Sequence, residues 1–165
     1  MWRAHVKFNV KDLDLDQLEK DTILEAQEIW NPEGDRTYQN VYDMVSIGKP
    51  AENFLKEKAK FTNDIRKWHD LVSPCGHTVE VKVRNPMKIA ATLSELSMLR
   101  ADPRRYLQSD WVFIFTMEGR ETYNLHGTYK WNDGMGEYMS ETFDWKSEYE
   151  VWSSLNADRE FLINY

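Results

Sequence analysis

Three side chains suited to phosphate chemistry lie close together in the middle of the chain: Asp70, Glu80 and Lys82. Glu80 and Lys82 belong to residues 78–83, where valines alternate with polar residues, a period typical of a half-buried β-strand. A proline and a glycine within residues 73–77 indicate a turn just before this strand. The pattern therefore predicts a hairpin with Asp70 on one strand and Glu80 on the other.

Symmetric pairing about that turn would set Val72 opposite Thr78, Asp70 opposite Glu80 and Trp68 opposite Lys82. Cross-strand partners have Cβ atoms about 4.5–5.5 Å apart, and like charges at such positions destabilise the sheet. A divalent cation would offset this repulsion, because carboxylate oxygens are its preferred ligands. We therefore predict a metal site formed by the two carboxylates, with an ammonium group beside it.

This arrangement resembles the active site of the PD-(D/E)XK nuclease superfamily, whose members have the restriction-endonuclease-like fold. Asp70 matches the first aspartate of the motif and Glu80-Val81-Lys82 matches its E-x-K, whereas His69 stands in the place of the proline. The resemblance implies that Asp70, Glu80 and the backbone carbonyl of Val81 hold Mg²⁺, for which Mn²⁺ would substitute. It also implies that Lys82 orients or activates the attacking water and stabilises developing charge.

A helix is predicted over residues 50–61, with Pro50 at the first helical position, where a proline is well tolerated. Three apolar side chains share one face that can pack on a sheet: Ala51, Phe54 and Leu55. Glu52 would then lie in the first turn, where the helix dipole favours a negative charge. The resemblance implies a further acidic residue on this helix near the metal, and Glu52 matches it. The alternative is an ordinary first-turn glutamate that faces solvent.

The elements predicted after the hairpin also resemble the superfamily core. An amphipathic helix is predicted over residues 87–99, ending near Asp102-Pro103, since the residue before a proline disfavours helical backbone. A strand buried on both faces is predicted over residues 110–115, then a turn and a second strand over residues 123–131. The resemblance covers about residues 46–131 and implies an α/β fold, a mixed β-sheet flanked by helices.

The flanks of this core are predicted to be extensions of a single domain covering residues 1–165, a length that can bury a substantial core. A strand over residues 2–10 and a helix over residues 16–30 occupy the N-terminal part, residues 1–45. Residues 132–165 are rich in aromatic side chains, which could stack on bases or pack the extension onto the core. The aromatic residues are Tyr138, Phe143, Trp145, Tyr149, Trp152, Phe161 and Tyr165.

The charge of the chain is acidic, with 21 Lys+Arg against 28 Asp+Glu and a formal net charge of -7. DNA-binding domains usually have a basic footprint, but the local field decides what a cleft attracts. Basic residues concentrate around the predicted site: Lys56, Lys58, Lys60, Arg66, Lys67, Lys82, Arg84 and Lys88. They are compatible with phosphate binding, and equally with a solvated helical face.

The single cysteine, Cys75, permits no internal disulfide, which favours a reducing cytoplasm. No apolar run approaches the ~20 residues of a membrane span, and charged residues interrupt the N-terminus, so neither a span nor a signal peptide is expected. Cys75 lies near His69 and His77 in sequence, which raises a zinc site or a thiol nucleophile as one interpretation. The other is a turn cysteine with solvated neighbours, since three residues make a poor zinc set.

The sequence thus predicts a Mg²⁺-dependent deoxyribonuclease, an endonuclease, with Asp70, Glu80, Lys82 and Glu52 as its catalytic residues. Two alternatives stay open as binding proteins: a relative that keeps the nuclease fold without activity, and an acidic protein that binds another protein. A further alternative is that E-x-K is a surface salt-bridge strand in an unrelated α/β domain. Many superfamily members dimerise to cut both strands, so a homodimer is possible, although the sequence specifies no interface.

Overall fold

The computed structural model describes residues 6–64, 70–102 and 109–148. The helices of these residues are α1 (Leu15–Ile29), α2 (Tyr38–Ala59) and α3 (Ile89–Ala101), with short 3-10 turns at Val10–Asp12 and Pro86–Lys88. The strands are β1 (Lys7–Asn9), β2 (Thr62–Asn63), β3 (Leu71–Val72), β4 (Thr78–Val83), β5 (Trp111–Glu118), β6 (Thr122–Asn132) and β7 (Glu137–Ser140).

All seven strands form one mixed sheet in the order β1-β6-β5-β4-β3-β2, with β7 also paired to β6. β4 and β5 are parallel, and the other neighbours are antiparallel. Parallel neighbours need a crossover connection, and α3 lies in the chain between them. The mixed α/β fold, a sheet flanked by helices, is confirmed.

Helices pack on both faces of the sheet, and each face has its own apolar cluster. Phe54 and Leu55 of α2 pack with Val79 and Val81 of β4 in the larger cluster. Ile89 and Leu96 of α3 pack with the β5 residues of the opposite face in the second cluster. Because successive side chains of a strand alternate between faces, Glu80 and Lys82 project from the face opposite to the β4 valines.

The predicted hairpin register is confirmed where the structure describes it. Val72 pairs with Thr78 and Leu71 pairs with Val79, in antiparallel β3 and β4. Asp70 occupies the bend immediately before β3, one residue beyond this pairing. The predicted Trp68–Lys82 pair lies outside the described residues, as do His69, Arg66 and Lys67.

The predicted start of the Pro50 helix is wrong. Helix α2 begins at Tyr38, where the Thr37 side chain caps it by accepting the backbone N–H of Asn40 at 3.1 Å, so Pro50 and Glu52 lie in the helix interior. The cap and the buried Val41 and Val45 extend the helix upstream of residue 46, where the core was expected to begin. The helix also ends earlier than predicted, at Ala59, because Lys60 has a left-handed backbone conformation.

A contact with the sheet lies in the helical turn before Pro50. A proline inside a helix removes one backbone donor and perturbs the preceding turn. In that turn, the carbonyl of Ile47 accepts a hydrogen bond of 2.8 Å from the Tyr123 hydroxyl of β6. The perturbed part of α2 is therefore tied to the sheet beneath it.

The remaining elements differ from prediction mainly at their ends. The 87–99 helix begins with the 3-10 turn Pro86–Lys88 and stops at Ala101, immediately before Asp102. β5 continues to Glu118, so the following turn is shorter than predicted, and β6 covers the predicted second strand. The N-terminal strand is described from Lys7 to Asn9, whereas residues 1–5 lie outside the described part.

The start of the C-terminal extension packs onto the core. Tyr138, Phe143 and Trp145 are buried, and Phe143 meets Phe113 of β5 edge-on with ring centroids 5.0 Å apart. The structure shows these three side chains packed against the core and not exposed for base stacking. Tyr149, Trp152, Phe161 and Tyr165 lie outside the described residues.

Candidate active site

Asp70 is fixed across the hairpin by a backbone hydrogen bond. Its Oδ2 atom accepts the N–H of Val81 at 2.8 Å. The bond connects the bend before β3 to the middle of β4, and so brings the Asp70 carboxylate beside the E-x-K strand. The predicted proximity of Asp70 to Glu80 is present in the structure.

Glu80 is largely buried, with 12% of its side chain exposed. Burial and, after it, the negative charge of Asp70 raise the pKa of Glu80 to about 8, against the opposing effect of Lys82. A hydrogen bond between the Asp70 and Glu80 carboxyl groups contributes in the same direction. Because a bond between two carboxyls needs one proton, the pair shares a proton when no cation is present.

Lys82 lies beside Glu80 on the same strand face. Its Nζ atom is 3.2 Å from Glu80 Oε1, and 28% of its side chain is exposed. The ammonium group is therefore held near the two carboxyls while part of it remains open to solvent. A group placed in this way can reach a phosphate oxygen or a water molecule at the edge of the site.

Glu52 approaches Asp70 from α2, although not from a first helical turn. Its side chain is 13% exposed, so the solvent-facing alternative is not what the structure shows. Burial raises the pKa of Glu52 to about 8, and the charge of Asp70 is the next largest cause. Asp70 therefore acts electrostatically on both Glu52 and Glu80, which come from different elements.

Two residues that sequence reasoning missed flank Glu52. The Nζ atom of Lys49 lies 3.8 Å from Glu52 Oε2 and 3.5 Å from Glu25 Oε2 of α1. Although burial acts to lower it, the carboxylates of Glu52 and Glu25 raise the pKa of Lys49. The three-residue spacing of Lys49 and Glu52 is a visible helix signal, but no sequence pattern points to Glu25.

Within residues 6–64, 70–102 and 109–148, no three His, Cys, Asp or Glu side chains are disposed as a ready metal-binding group. The paired carboxyls of Asp70 and Glu80, with the intervening Val81 backbone, are a smaller donor set of oxygen atoms. Mg²⁺ typically keeps several waters and binds one or two carboxylates. The set fits that ion better than zinc, which takes four protein ligands in structural sites.

The thiol of Cys75 is poorly suited to nucleophilic chemistry. Desolvation and the nearby Glu148 carboxylate raise the pKa of Cys75, which keeps the thiol protonated at neutral pH. His77 also contacts Glu148, a residue that the sequence gave no reason to select, and its imidazole Nδ1 lies 2.6 Å from Glu148 Oε1.

The predicted basic cluster is partly engaged within the protein. Lys56 lies 3.7 Å from Asp21 of α1, and Lys60 donates to the Glu57 carbonyl at 3.3 Å. Arg84 donates to the carbonyl of Val83 at 2.9 Å. These three cations therefore already have partners within the protein.

Comparison of the chain with protein-family models, with curated proteins and with solved structures finds no match. None of the described helices combines the length and the apolar character that crossing a membrane requires.

Proposed function

We propose that this protein is a Mg²⁺-dependent nuclease with a restriction-endonuclease-like core, and that it cleaves DNA phosphodiester bonds internally. The observation that carries the proposal is the position of Asp70, which lies beside Glu80 and Lys82 of β4 and also acts electrostatically on Glu52 of α2. Glu52 and Glu80 both have pKa values of about 8, raised by burial and by Asp70, and such a combination of burial with a specific charge partner is characteristic of functional sites.

The topology around the site supports the same proposal. In chain order it consists of α2, the antiparallel strands β2, β3 and β4, the crossover helix α3, and β5 parallel to β4. This order of helix, hairpin strands, helix and strand is the one that the PD-(D/E)XK resemblance implies. Asp70 immediately precedes β3 and Glu80 lies on β4 in that arrangement.

A divalent cation would stabilise the ionised form of each of these carboxyl groups. Ionising Glu80 or Glu52 next to Asp70 is unfavourable in a buried site, and a bound cation would lower both pKa values. Asp70 and Glu80 would hold the ion with the Val81 carbonyl, and Glu52 would add a negative charge near Asp70. When bound, Mg²⁺ would polarise the scissile phosphate and lower the pKa of a coordinated water.

Lys82 has a different role in the proposal. Its ammonium group carries no lone pair for a metal, and it is partly exposed at the edge of the site. It would hold the attacking water or a phosphate oxygen by hydrogen bonding and would stabilise the negative charge that develops there. Its contact with Glu80 fixes the position from which it acts.

One observation favours a second candidate, a binding module with the same fold and no activity. The net charge of -7 opposes binding to a polyanion. Against this stands the complete set of Asp70, Glu80 and Lys82, for which a binding module has no chemical need. The surface salt-bridge interpretation fits the Lys82–Glu80 contact, but it does not account for the burial of Glu80.

Incubation with supercoiled plasmid, linear duplex and single-stranded DNA, in Mg²⁺, Mn²⁺ or EDTA, tests the proposal. We expect cleavage with either ion and none with EDTA. Asp70→Asn should abolish cleavage, and Lys82→Met should slow it at least ~100-fold while Mn²⁺ still binds in calorimetry at pH 8.5. The exposed Glu33→Gln serves as the matched charge control.

Cleavage by Asp70→Asn at the wild-type rate would remove this site from the chemistry. Mn²⁺ binding at Asp70 without cleavage of any of the three DNA forms would favour the binding module.

A further inference from the structure

The turn between β3 and β4 is held by a carboxylate from the far end of the described chain. Glu148, with 1% of its side chain exposed, accepts three hydrogen bonds from this turn. The donors are Ser73 Oγ at 3.0 Å, the Cys75 N–H at 3.0 Å and His77 Nδ1 at 2.6 Å. A buried carboxylate needs such partners, because a buried charge without them is strongly unfavourable.

The three bonds from Ser73, Cys75 and His77 to Glu148, called the clamp below, hold the turn and do not form a catalytic relay. A carboxylate only accepts, so the proton of the His77–Glu148 bond is on Nδ1. Ser73 Oγ lies 3.3 Å from this same nitrogen, and its hydroxyl donates to Glu148 directly. In a serine hydrolase relay, the serine and the acid contact different ring nitrogens, which is not the case for Ser73 and Glu148.

The strand before the turn is weakly held. β4 is supported by five residue pairs with β5, but β3 consists of two residues and its other neighbour, β2, is equally short. The turn adds three bonds of its own. The Ser73 N–H donates to the His77 carbonyl at 2.8 Å, the Gly76 N–H to the Ser73 carbonyl at 2.9 Å, and the His77 N–H to Ser73 Oγ at 3.0 Å. These bonds shape the turn, but they do not fix it to the rest of the protein.

Glu148 is itself anchored in the larger apolar cluster. Phe143 and Trp145 precede it, are buried, and stack edge-to-face with centroids 4.9 Å apart. Phe143 also meets His77 edge-on at 6.1 Å, so the same segment contacts the turn twice. The clamp therefore fixes the turn between Asp70 and Glu80 relative to the larger apolar cluster.

We propose that Glu148 is a positioning residue for the candidate active site. By holding the turn, it fixes the register in which the Asp70 carboxylate meets Val81 and Glu80. Residues up to Glu148 are then part of the functional unit and not a dispensable extension. The effect on metal binding rests on the proposed function, whereas the effect on the hairpin does not.

The test compares two destabilised variants. Glu148→Gln retains the size of the side chain but replaces one carboxylate oxygen with an NH₂ group, which cannot accept the hydrogen bonds of the turn. Val41→Ala trims a buried side chain of the α1–α2 cluster, which does not include the hairpin. Temperature or denaturant concentration is adjusted so that the two variants have the same free energy of unfolding. Hydrogen exchange of the β3–β4 amides and calorimetric Mn²⁺ affinity are then measured.

We expect Glu148→Gln to accelerate exchange in the hairpin and to weaken Mn²⁺ binding by about 10-fold, the lower end of the range for residues that orient ligands. Val41→Ala should change neither property. Should Glu148→Gln not fold, Ser73→Ala removes a single donor and should shift both readouts in the same direction by less.

Equal hairpin exchange and equal Mn²⁺ affinity in Glu148→Gln and Val41→Ala would overturn the proposal. If wild-type protein binds no Mn²⁺ while Glu148→Gln still accelerates hairpin exchange, the clamp stands and the nuclease proposal fails. If Mn²⁺ binds through Asp70 but hairpin exchange is unchanged in Glu148→Gln, the clamp fails and the nuclease proposal stands.

Discussion

At the scale of single residues, the chemistry of the site depends on proton occupancy. Glu80 and Glu52 have pKa values of about 8, raised chiefly by burial from an ordinary value of 4.5. At neutral pH without a cation, both carboxyls are therefore mostly protonated. A metal that bound here would have to displace these protons, so its affinity should rise as the pH increases toward 8.

The same raised pKa values make the metal-free protein less stable in alkali. Between pH 4.5 and pH 8 the folded state retains protons that the unfolded chain has already lost, so stability falls as the pH rises through this window. One unit of pKa shift corresponds to about 1.4 kcal/mol. The penalty is largest above pH 8, where the buried groups must ionise.

Replacing Glu80 with glutamine should remove its share of this penalty, because an amide cannot ionise. In EDTA at pH 5, where Glu80 is protonated, we expect Glu80→Gln to melt within about 1 °C of wild type. At pH 9 it should melt at least ~3 °C higher, using 2–4 °C per kcal/mol for a chain of this size. Circular-dichroism melts measure both. An equal shift at both pH values would show that Glu80 does not titrate as described.

At the scale of elements, α2 places Glu52 near Asp70 although the helix contains Pro50. The helix is fixed on the sheet by Phe54, which stacks on Phe8 with centroids 4.2 Å apart. Tyr123 adds the hydrogen bond to Ile47 in the turn before Pro50. Burial raises the pKa of Tyr123 to about 12, so its hydroxyl remains a donor at any working pH.

Tyr123→Phe tests how much that bond contributes. The ring should keep its stacking on Phe8, at 5.1 Å, so only the hydroxyl is lost. We expect a loss of about 1 kcal/mol, the usual contribution of one hydrogen bond, measured by urea unfolding. The partly exposed Tyr42→Phe on the same helix is the control and should change stability by less than ~0.5 kcal/mol. A Tyr123 variant as stable as wild type would show that the bond does not stabilise α2.

At the scale of the whole molecule, the net charge of -7 sets a condition on any contact with DNA. Two polyanions repel, and the basic residues near the site are partly paired with acids, as Lys56 is with Asp21. A divalent cation at Asp70 and Glu80 would reverse the local sign of the field. DNA binding and metal binding should therefore depend on each other.

We expect duplex DNA to bind at least ~10-fold more tightly in Ca²⁺ than in EDTA at equal ionic strength, a difference of about 1.4 kcal/mol. Ca²⁺ shares the preference of Mg²⁺ for oxygen ligands. Fluorescence anisotropy of a labelled duplex measures the affinity, and Asp70→Asn should lose the dependence on Ca²⁺. Tight binding in EDTA that Ca²⁺ leaves unchanged would mean that the duplex contacts a surface other than the acidic site.

The local part of the site can be predicted from the residue pattern alone. The alternating valines around Glu80 define the two faces of β4, and the turn at residues 73–77 defines which residues of β3 lie opposite them. Both signals act over a few residues, so they survive without knowledge of the rest of the fold. The same locality made Pro50 misleading, since its preference for a helix start was outweighed by the Thr37 cap and the apolar positions after it.

Only the tertiary structure decided which distant groups join this hairpin. Glu52 approaches Asp70 because α2 packs across the sheet, and Glu25 meets Lys49 because α1 packs on α2. Glu148 bonds to Ser73 across a separation of 75 positions. Periodicity and capping describe neighbours along the chain, whereas these contacts are set by how whole elements bury their apolar faces, and a charged residue leaves no periodic signal of the partner it will meet.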